Sequence, residues 1–291
     1  MTKKNIVVTG GTGFIGRNFV AEAVKKDYEV ICIVRRSVTE FRSASVTYYE
    51  YSDYESIRRL FSENSIDFVI HAASKFVVDH KDQDISELIQ SNIEFGTWVA
   101  EAMTKYGCHK LLTIGSVWQN HLDEDYHPTN LYAATKQAFW DVLRYFVEAR
   151  ALDVLEIKLA DTFGLGDDRP KVFNLLRTHS MSGQPIGMTL SEQEMSLLHI
   201  NEAVTGLFHA CDFLESLVGQ ASYGVYNPEI LKLREIVALF QKHGKKHFSV
   251  QYGEREYRER ESMKFARSVP LLPGWRPAKS LEVHVRNFVN S

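Results

Sequence analysis

The chain has 291 residues, of which 44% are hydrophobic, and a formal net charge of −3 at pH 7. This balance excludes the basic surface of a nucleic-acid-binding domain, and no apolar run reaches the ~20 residues needed to span a bilayer. Three widely spaced cysteines, Cys32, Cys108 and Cys211, argue against a disulfide framework and favour a reducing compartment. Because no secretory signal follows Met1, we expect a cytoplasmic protein with neither nucleic acid nor membrane as a partner.

The first half of the sequence alternates short β-branched runs with amphipathic segments, which is typical of βαβ units on a parallel sheet. The predicted strands are Ile6–Thr9, Glu29–Val34, Val46–Tyr49, Phe68–Ala72, Lys110–Ile114 and Val154–Leu159. The predicted helices between them are Ile15–Lys26, Tyr54–Glu63, Ile85–Tyr106 and Tyr132–Ala149. After about Gly164, Gly and Pro become frequent and strands are harder to identify, which indicates a smaller, irregular region.

A glycine-rich segment joins the first predicted strand to the first predicted helix with the spacing Gly-x-x-Gly-x-x-Gly. Gly10 lets the chain turn tightly, Gly13 lets the backbone approach a pyrophosphate, and Gly16 lets the helix pack against the strand. Glycines also mark ordinary turns, so the strand–loop–helix context carries the prediction. We therefore expect Gly10, Gly13, Phe14, Ile15 and Gly16 to bind a dinucleotide.

The end of the second predicted strand indicates which dinucleotide is bound. An acidic residue there would hold the ribose hydroxyls of NAD, but the chain has Arg35 and Arg36 and no carboxylate. Two guanidinium groups suit a 2′-phosphate, which favours NADP (NADPH) over NAD. The alternative is a pair of solvated surface arginines.

Tyr132 and Lys136 are spaced to share one face of a helix. We expect the ammonium group to stabilise a phenolate and lower the pKa of Tyr132 from about 10 toward neutrality. Such a tyrosine exchanges a proton with a carbonyl or hydroxyl group while a hydride moves. A plain surface helix is the alternative, but Ser116 follows a predicted strand at the sheet edge where ligands collect, which favours a catalytic set.

Together these motifs resemble the extended short-chain dehydrogenase/reductases, the NAD-dependent epimerase/dehydratase family. The resemblance continues in four further segments: His71–Ser74, Asn92–Thr97, Lys158–Gly164 and Gly274–Pro277. It implies an NAD(P)-dependent oxidoreductase in which Ser116 polarises the substrate carbonyl and Tyr132 is the acid/base. Lys136 would bind the nicotinamide ribose, and the segment His71, Ala72 and Ala73 would line the cofactor.

The resemblance also implies an architecture. The fold class is α/β: a Rossmann-type doubly wound parallel sheet with a smaller, irregular C-terminal substrate domain. The dinucleotide-binding domain would span residues 1–164, rejoined by about 201–222, and residues 165–200 and 223–291 would bind the substrate. The family often forms homodimers by pairing helices, here Ile85–Tyr106 and Tyr132–Ala149, although intramolecular packing explains much of their apolar content.

Within the family, the chain is most similar to nucleotide-sugar reductases that make CDP-linked 3,6-dideoxyhexoses, such as abequose and paratose synthases. The segments that carry this resemblance are Tyr132–Gln137, Glu156–Leu159, Gly166–Asp168, Lys171–Phe173 and Tyr252–Met263. The resemblance implies NAD(P)H-dependent reduction of the 4-keto group of a nucleotide-linked 6-deoxy or 3,6-dideoxy sugar, with Tyr132 as the proton donor. The residues expected at the substrate are Trp118, Asp161, Lys171 and Arg258.

Two departures from the family pattern bear on the site. The segment after Ser116 is contracted, so Thr113 stays a second candidate for the catalytic hydroxyl. Ser116 also lacks the Asp-Glu pair that sugar 4,6-dehydratases use for elimination, which disfavours a dehydratase. Met195 stands where the family has an arginine for the nucleotide diphosphate, so we expect that contact to be weakened. Arg258, or else Arg255 or Arg260, could replace it, although a solvated strand face explains these charges equally well.

Two other functions stay open at this point. A 4-epimerase would keep NAD bound, which Arg35 and Arg36 disfavour, and a dinucleotide sensor on the same fold would not require Tyr132 and Lys136. A metal site is not expected, because the acidic run Asp123–Asp125 has no His or Cys at ligand spacing.

Overall fold

Seven parallel strands form the central sheet of the computed structural model, which describes residues 3–36 and 44–291. The strands of the structure are β1 (Asn5–Thr9), β2 (Glu29–Val34), β3 (Val46–Glu50), β4 (Phe68–His71), β5 (Lys110–Ser116), β6 (Asp153–Leu159), β7 (Asp161–Phe163), β8 (Ile186–Met188), β9 (Glu194–Met195), β10 (Leu197–His199), β11 (Gln220–Val225), β12 (Leu231–Lys232) and β13 (Val250–Tyr252). The sheet order β11-β6-β5-β4-β1-β2-β3 reverses its winding between β1 and β4. This confirms the predicted doubly wound α/β fold and places the switch point, where such folds bind ligands, after β1.

Helices cover both faces of the sheet. They are α1 (Phe14–Lys25), α2 (Tyr54–Glu63), α3 (Asp84–Ile89), α4 (Phe95–Lys105), α5 (Leu131–Arg150), α6 (Val172–Ser182), α7 (Ile200–Ser216), α8 (Leu233–His243) and α9 (Leu281–Asn290). Helices α1 and α7 cover one face, where Phe19 stacks on Phe208 at 4.5 Å between ring centroids. Helices α2, α4 and α5 cover the other face, with Phe139 and Leu143 in its core.

The predicted helix Ile85–Tyr106 is interrupted in the structure. A π-helical turn, Gln90–Glu94, joins α3 to α4 without ending the helical run. The buried side chain of Asn92 in this turn bonds to the backbone of Lys75 and to the hydroxyl of Thr135 on α5. The π turn therefore ties the segment after β4 to the helix that carries Tyr132.

The C-terminal part has short strands and a core of its own. Strands β7 and β10, β9 and β12, and β8 and β13 form three two-stranded sheets. Helices α6, α8 and α9 pack around Phe173, Phe240 and Phe288. By contrast, α7 and β11 belong to the main sheet, since β11 pairs with β6 from Gln220↔Val154 to Val225↔Leu159. No helix among the described residues is long and apolar enough to cross a membrane.

Candidate active site

The glycine loop forms one wall of a cavity of about 350 Å³ at the switch point of the sheet. Gly10 has φ +67°, and a Cβ there would lie 2.6 Å from the backbone nitrogen of Ala73. A Cβ on Gly16 would overlap the carbonyl oxygen of Gly10, so helix α1 requires glycine at both positions. The loop and the segment after β4 are therefore in close backbone contact.

The N-terminus of α1 is open toward this cavity. Its N-cap is Gly13, which supplies no side-chain hydrogen bond to the first N–H groups of the helix. A Cβ on Gly13 would meet, among the described residues, just the carbonyl oxygen of Gly10 within 4 Å, at 3.3 Å. Uncapped N–H groups and the helix dipole suit a phosphate, and the space beside Gly13 lets one approach. These residues fit the pyrophosphate of a dinucleotide.

Ser116, Tyr132 and Lys136 line the same cavity as the glycine loop. Ser116 ends β5, and its hydroxyl oxygen accepts a hydrogen bond from the Trp118 amide at 3.2 Å. Helix α5 begins one residue before Tyr132, where the Asn130 side chain caps it by accepting from the Ala133 amide at 3.0 Å. The predicted catalytic set is thus gathered at the C-terminal edge of the sheet. Thr113, the second hydroxyl candidate, is buried within β5 and does not line the cavity.

Two aromatic rings enclose the phenol of Tyr132. The rings of Phe76 and Trp118 lie edge-on to it at centroid distances of 5.1 and 6.5 Å. Burial raises the pKa of Tyr132 to about 12, while a hydrogen bond with Ser74 and the charge of Arg169 oppose that rise. The predicted lowering toward neutrality is therefore wrong for this structure, because desolvation exceeds the effect of nearby cations. Tyr132 is a neutral phenol, the form that can donate a proton.

Lys136 is buried, with 4% of its surface exposed, on the same helix. Burial lowers its pKa to about 8, and the negative charge of Glu156 on β6 opposes that effect. Lys136 and burial together lower the pKa of His71, at the end of β4, to about 3, with burial the larger cause. His71 is therefore neutral beside a lysine that still carries its proton at neutral pH.

A second space, a cleft of about 920 Å³, adjoins the small cavity. Five residues line both spaces: Phe76, Val117, Trp118, Asp161 and Lys171. The ammonium of Lys171 lies 3.3 Å from the carboxylate of Asp161 and 5.7 Å from the centroid of the Phe76 ring. Burial lowers the pKa of Lys171, and Asp161 opposes that effect. Three of the predicted substrate residues, Trp118, Asp161 and Lys171, thus lie where the two spaces join.

The larger cleft contains Met195 together with several arginines. Arg260 donates to the carbonyl oxygens of Thr129 and Pro128 at 3.0 and 3.1 Å. Arg258 lies 3.6 Å from the exposed carboxylate of Asp79. Arg255 forms no side-chain hydrogen bond or ion pair with any residue in the described ranges 3–36 and 44–291. Arg260 is therefore bonded within the chain, Arg258 is paired with an exposed carboxylate, and Arg255 has no such partner among the described residues.

The structure separates the predicted cofactor residues into three groups. Gly10, Gly13, Phe14, Ile15, Gly16 and Ala72 line the small cavity. The ring of His71 is fully buried behind it, bonded through Nδ1 to the Thr9 hydroxyl at 3.0 Å, so it supports the wall and does not face the cavity. Ala73 lies against Gly10 through its backbone, and Arg35 and Arg36 are exposed after β2, next to residues outside the described ranges.

Several site residues were not found from the sequence. Phe76, Ser74 and Arg169 line the small cavity, and the guanidinium of Arg169 lies 4.7 Å from the centroid of the Phe14 ring. Ser74 directly follows the His-Ala-Ala segment, so its place in the chain was a usable signal. Phe76 and Arg169 had none, because their proximity depends on how distant loops fold over the sheet edge. In the described part of the chain no three His, Cys, Asp or Glu side chains are grouped as metal ligands.

Two known proteins are similar in sequence to this chain over most of its length. A CDP-abequose synthase of Yersinia pseudotuberculosis is 24% identical over 260 residues, which cover 89% of this chain and 90% of that protein. A CDP-abequose synthase of Salmonella muenchen is 22% identical over 298 residues, which cover 99% of this chain and 97% of that protein.

Solved structures show the same fold. The crystal structure of a UDP-glucose 4-epimerase from Thermotoga maritima with UDP-glucose aligns with a TM-score of 0.83 at 20% identity, over 98% of this chain and 97% of that one. Residues 6–227 match the sequence profile described as "NAD dependent epimerase/dehydratase family". A glycine loop at the switch point, a Ser116, Tyr132 and Lys136 set beside it, and a match over most of the chain lead to one conclusion: this chain belongs to the NAD-dependent epimerase/dehydratase family.

Proposed function

We propose that this protein reduces the 4-keto group of a nucleotide-linked 6-deoxy or 3,6-dideoxy sugar with NADPH. The observation that carries the proposal is that the two spaces adjoin each other beside the catalytic set. The small cavity holds the glycine loop together with Ser116, Tyr132 and Lys136, and it shares Trp118 and Lys171 with the larger cleft. A cofactor on one side and a sugar on the other would meet beside the phenol.

The residues of the small cavity fit the dinucleotide. The N–H groups at the start of α1, beside Gly13, would hold the pyrophosphate, and Lys136 would bind the nicotinamide ribose. Arg35 and Arg36 support NADPH over NADH, because they follow β2 with no carboxylate to bind the ribose hydroxyls of NAD. When bound, the reduced nicotinamide supplies the hydride.

Tyr132 has the protonation state that reduction requires. A phenol whose pKa is about 12 is neutral at pH 7, so its proton is available to the carbonyl oxygen as the hydride reaches the carbon. The C=O bond becomes a CH–OH group, and Tyr132 is left as a phenolate that regains a proton from solvent. Ser116, at the end of β5, would donate a hydrogen bond to the same oxygen.

The larger cleft supports a nucleotide-linked substrate. Its volume of about 920 Å³ lies at the upper end of the range for small-molecule sites. Arg255 and Arg258 offer guanidinium groups to a diphosphate, and they take the place of the arginine that Met195 replaces. Since both CDP-abequose synthases match nearly the whole chain, a CDP-linked sugar is the first substrate to test.

We also propose the domain division and assembly that the family resemblance implies. Residues 1–164 with 201–222 would bind the cofactor, and residues 165–200 and 223–291 would bind the sugar nucleotide. A homodimer would pair α4 and α5, where Tyr145 is 54% exposed. Light scattering would distinguish it from a 33.4-kDa monomer, and a monomer at working concentration would reject the dimer.

The decisive experiment compares the protein with its Tyr132→Phe variant. NADPH oxidation is followed with a panel of CDP-, dTDP-, GDP- and UDP-linked 4-keto-6-deoxysugars. We expect turnover with one member and a loss of about 10²–10⁴-fold in kcat in the variant, with NADPH affinity unchanged. Tight NADPH binding without turnover of any sugar would reject the proposed substrate class. Interconversion of sugars without net NADPH oxidation would indicate a 4-epimerase, and a biological output that survives Tyr132→Phe would indicate a sensor.

A further inference from the structure

A buried group of charged and amide side chains lies behind the catalytic set. Successive side chains of β6 point to opposite faces of the sheet, and Leu155, Ile157 and Leu159 enter the apolar core under α1 and α7. Glu156 and Lys158 point the other way, toward α5, and are 2% and 9% exposed. A carboxylate and an ammonium in the interior of a parallel sheet are costly unless they are paired and hydrogen-bonded.

Both oxygens of the Glu156 carboxylate accept hydrogen bonds, and a cation lies beside one of them. One oxygen accepts from the Gln119 amide at 2.9 Å, and the other accepts from the Ser222 hydroxyl at 2.6 Å. The ammonium of Lys158 lies 3.9 Å from the second oxygen and donates to Asn120 at 2.7 Å. The carboxylate is therefore fixed on both sides.

Gln119 connects this carboxylate to Ser116. Its side-chain oxygen accepts the backbone N–H of Ser116 at 2.7 Å, while its amide nitrogen donates to Glu156. Gln119 is fully buried, so neither bond is exchanged with water. The orientation of the Ser116 backbone at the end of β5 thus depends on a glutamine that Glu156 holds in place.

Glu156 also acts on Lys136 across the interface between β6 and α5. Its negative charge favours the ammonium form of Lys136 against the cost of burial. Lys136 and burial act on His71 on β4, which burial keeps neutral, and Asp161, Arg169 and Lys171 line the cavity beside Tyr132. Glu156 is the carboxylate whose charge acts on Lys136 from β6, and Lys158 competes for that charge.

We propose that Glu156 is a positioning residue for the reaction: it fixes Gln119 against the Ser116 amide and sets a negative charge behind the catalytic helix α5. This inference rests on the proposed reductase function. Lys136 lies one helical turn after Tyr132 on α5 and lines the same cavity. A positive charge there favours the phenolate that Tyr132 becomes after it gives up its proton.

The pH dependence of the reaction separates the effect of Glu156 on the position of Gln119 from the effect of its charge on Lys136. A lysine with a pKa of about 8 is mostly protonated below pH 8 and loses its proton as the pH rises, so kcat of the wild type should fall above about pH 8. Glu156→Gln keeps an acceptor for Gln119 but removes the charge. We expect the decline of kcat to begin about one pH unit or more lower, with near-normal activity at pH 6. A merely structural role would lower activity equally at every pH.

Three matched variants sharpen this test. Ser222→Ala removes the other hydrogen bond to the same carboxylate without changing charge, so the pH at which activity declines should not move. Lys158→Met removes a competing ammonium, so the decline should move to higher pH. Gln119→Met breaks the link to Ser116, so kcat should fall about tenfold at every pH, with the position of the decline unchanged.

A measurement without turnover keeps the inference separate from the proposed function. NADPH dissociation constants are measured across pH 6–9, and the transition that Lys136→Met abolishes is assigned to Lys136. If this transition occurs at a different pH in Glu156→Gln, the inference is supported, even if no keto sugar is reduced. A failure to reduce any keto sugar would reject only the proposed substrate. An unmoved transition in both Glu156→Gln and Lys158→Met overturns the inference, and Lys158→Met decides it if Glu156→Gln does not fold.

Discussion

The two spaces that meet beside Tyr132 are built from different parts of the chain. The small cavity has the glycine loop after β1 as one wall, and the backbone of that wall surrounds the N-terminus of α1. The larger cleft is lined by apolar and charged side chains, most of them from segments within residues 76–80, 128–134, 170–175, 186–196 and 255–266. The phosphate-side wall of the small cavity is a property of main-chain geometry, and the cleft is a property of side chains from segments that meet only in the folded protein.

This difference indicates how each space recognises its ligand. Backbone N–H groups at the start of a helix offer the same donors whatever the neighbouring side chains, so one local motif suffices for a pyrophosphate. Charges spread over several loops can be exchanged one at a time, which allows the cleft to accept another sugar or base without altering the fold. Substitutions in the two spaces should therefore differ in both size and kind.

Among the substitutions that compare how the two spaces bind their ligands, the largest effect on affinity is expected from Gly13→Val in the small cavity. The new side chain would project beside the α1 N-terminus and block the pyrophosphate, while it meets little of the protein itself. We expect NADPH affinity to fall about 100-fold, the value of one or two lost charge-assisted hydrogen bonds, with little change in thermal unfolding. Calorimetric titration and an unfolding scan measure the two quantities.

Gly16→Ala is the matched comparison for that prediction. Its Cβ would overlap backbone atoms of Gly10, so the melting temperature itself should fall. If Gly13→Val kept wild-type NADPH affinity, the view of the small cavity as a backbone-defined phosphate site would be wrong.

A smaller effect is expected from Arg255→Gln in the larger cleft. Arg255 has no partner among the described residues, so its loss leaves no buried charge behind. We expect KM for the nucleotide-linked sugar to rise about tenfold while kcat changes little, because binding is lost equally from ground and transition states. Arg286→Gln on the exposed side of α9 is the control, and it should alter neither constant. A fall in kcat with unchanged KM would place Arg255 at the reacting atoms.

The same contrast explains how far the sequence alone could be interpreted. The first six strands and the helices between them were predicted to within two residues, apart from the interrupted run at Gln90–Glu94. Their signals are local: Asp53, for example, caps the predicted helix Tyr54–Glu63 by accepting from the Ser56 amide at 2.8 Å. The π turn gives no such signal, because the backbone enters and leaves it in helical geometry and no side-chain cap marks it. Strand β11 was missed because its sequence, Gln-Ala-Ser-Tyr-Gly-Val, lacks an apolar run.

In the candidate active site, too, local sequence predicts which residues share an element but not what buries them. The spacing of Tyr132 and Lys136 predicts a shared helix face, and both residues do line one cavity. The direction of the pKa shift of Tyr132 could not be obtained from that spacing, because it depends on the rings of Phe76 and Trp118, which fold over the phenol from other segments. Burial by distant residues is a tertiary quantity, and the local motif does not contain it.

The smallest effect is expected from Met195→Arg, which restores the cation typical of the family. Met195 is partly exposed in the cleft, so the new guanidinium could reach a diphosphate, but Glu261 also lines the cleft and would compete for it. Burial raises the pKa of Glu261, which disfavours the charged form of that carboxyl. We expect CDP affinity to rise about threefold.

Titration of CDP and CMP in the presence of NADPH measures this gain, with Met195→Leu as the apolar control. A gain for CDP that exceeds the gain for CMP would place the diphosphate next to residue 195, as the family pattern implies. An equal gain for both nucleotides would mean that the cation acts on the whole anion from a distance. No gain for either would place the diphosphate at Arg255 and Arg258. The absence of an arginine at position 195 would then go with a different position of the nucleotide in the cleft, and not with a weaker diphosphate contact.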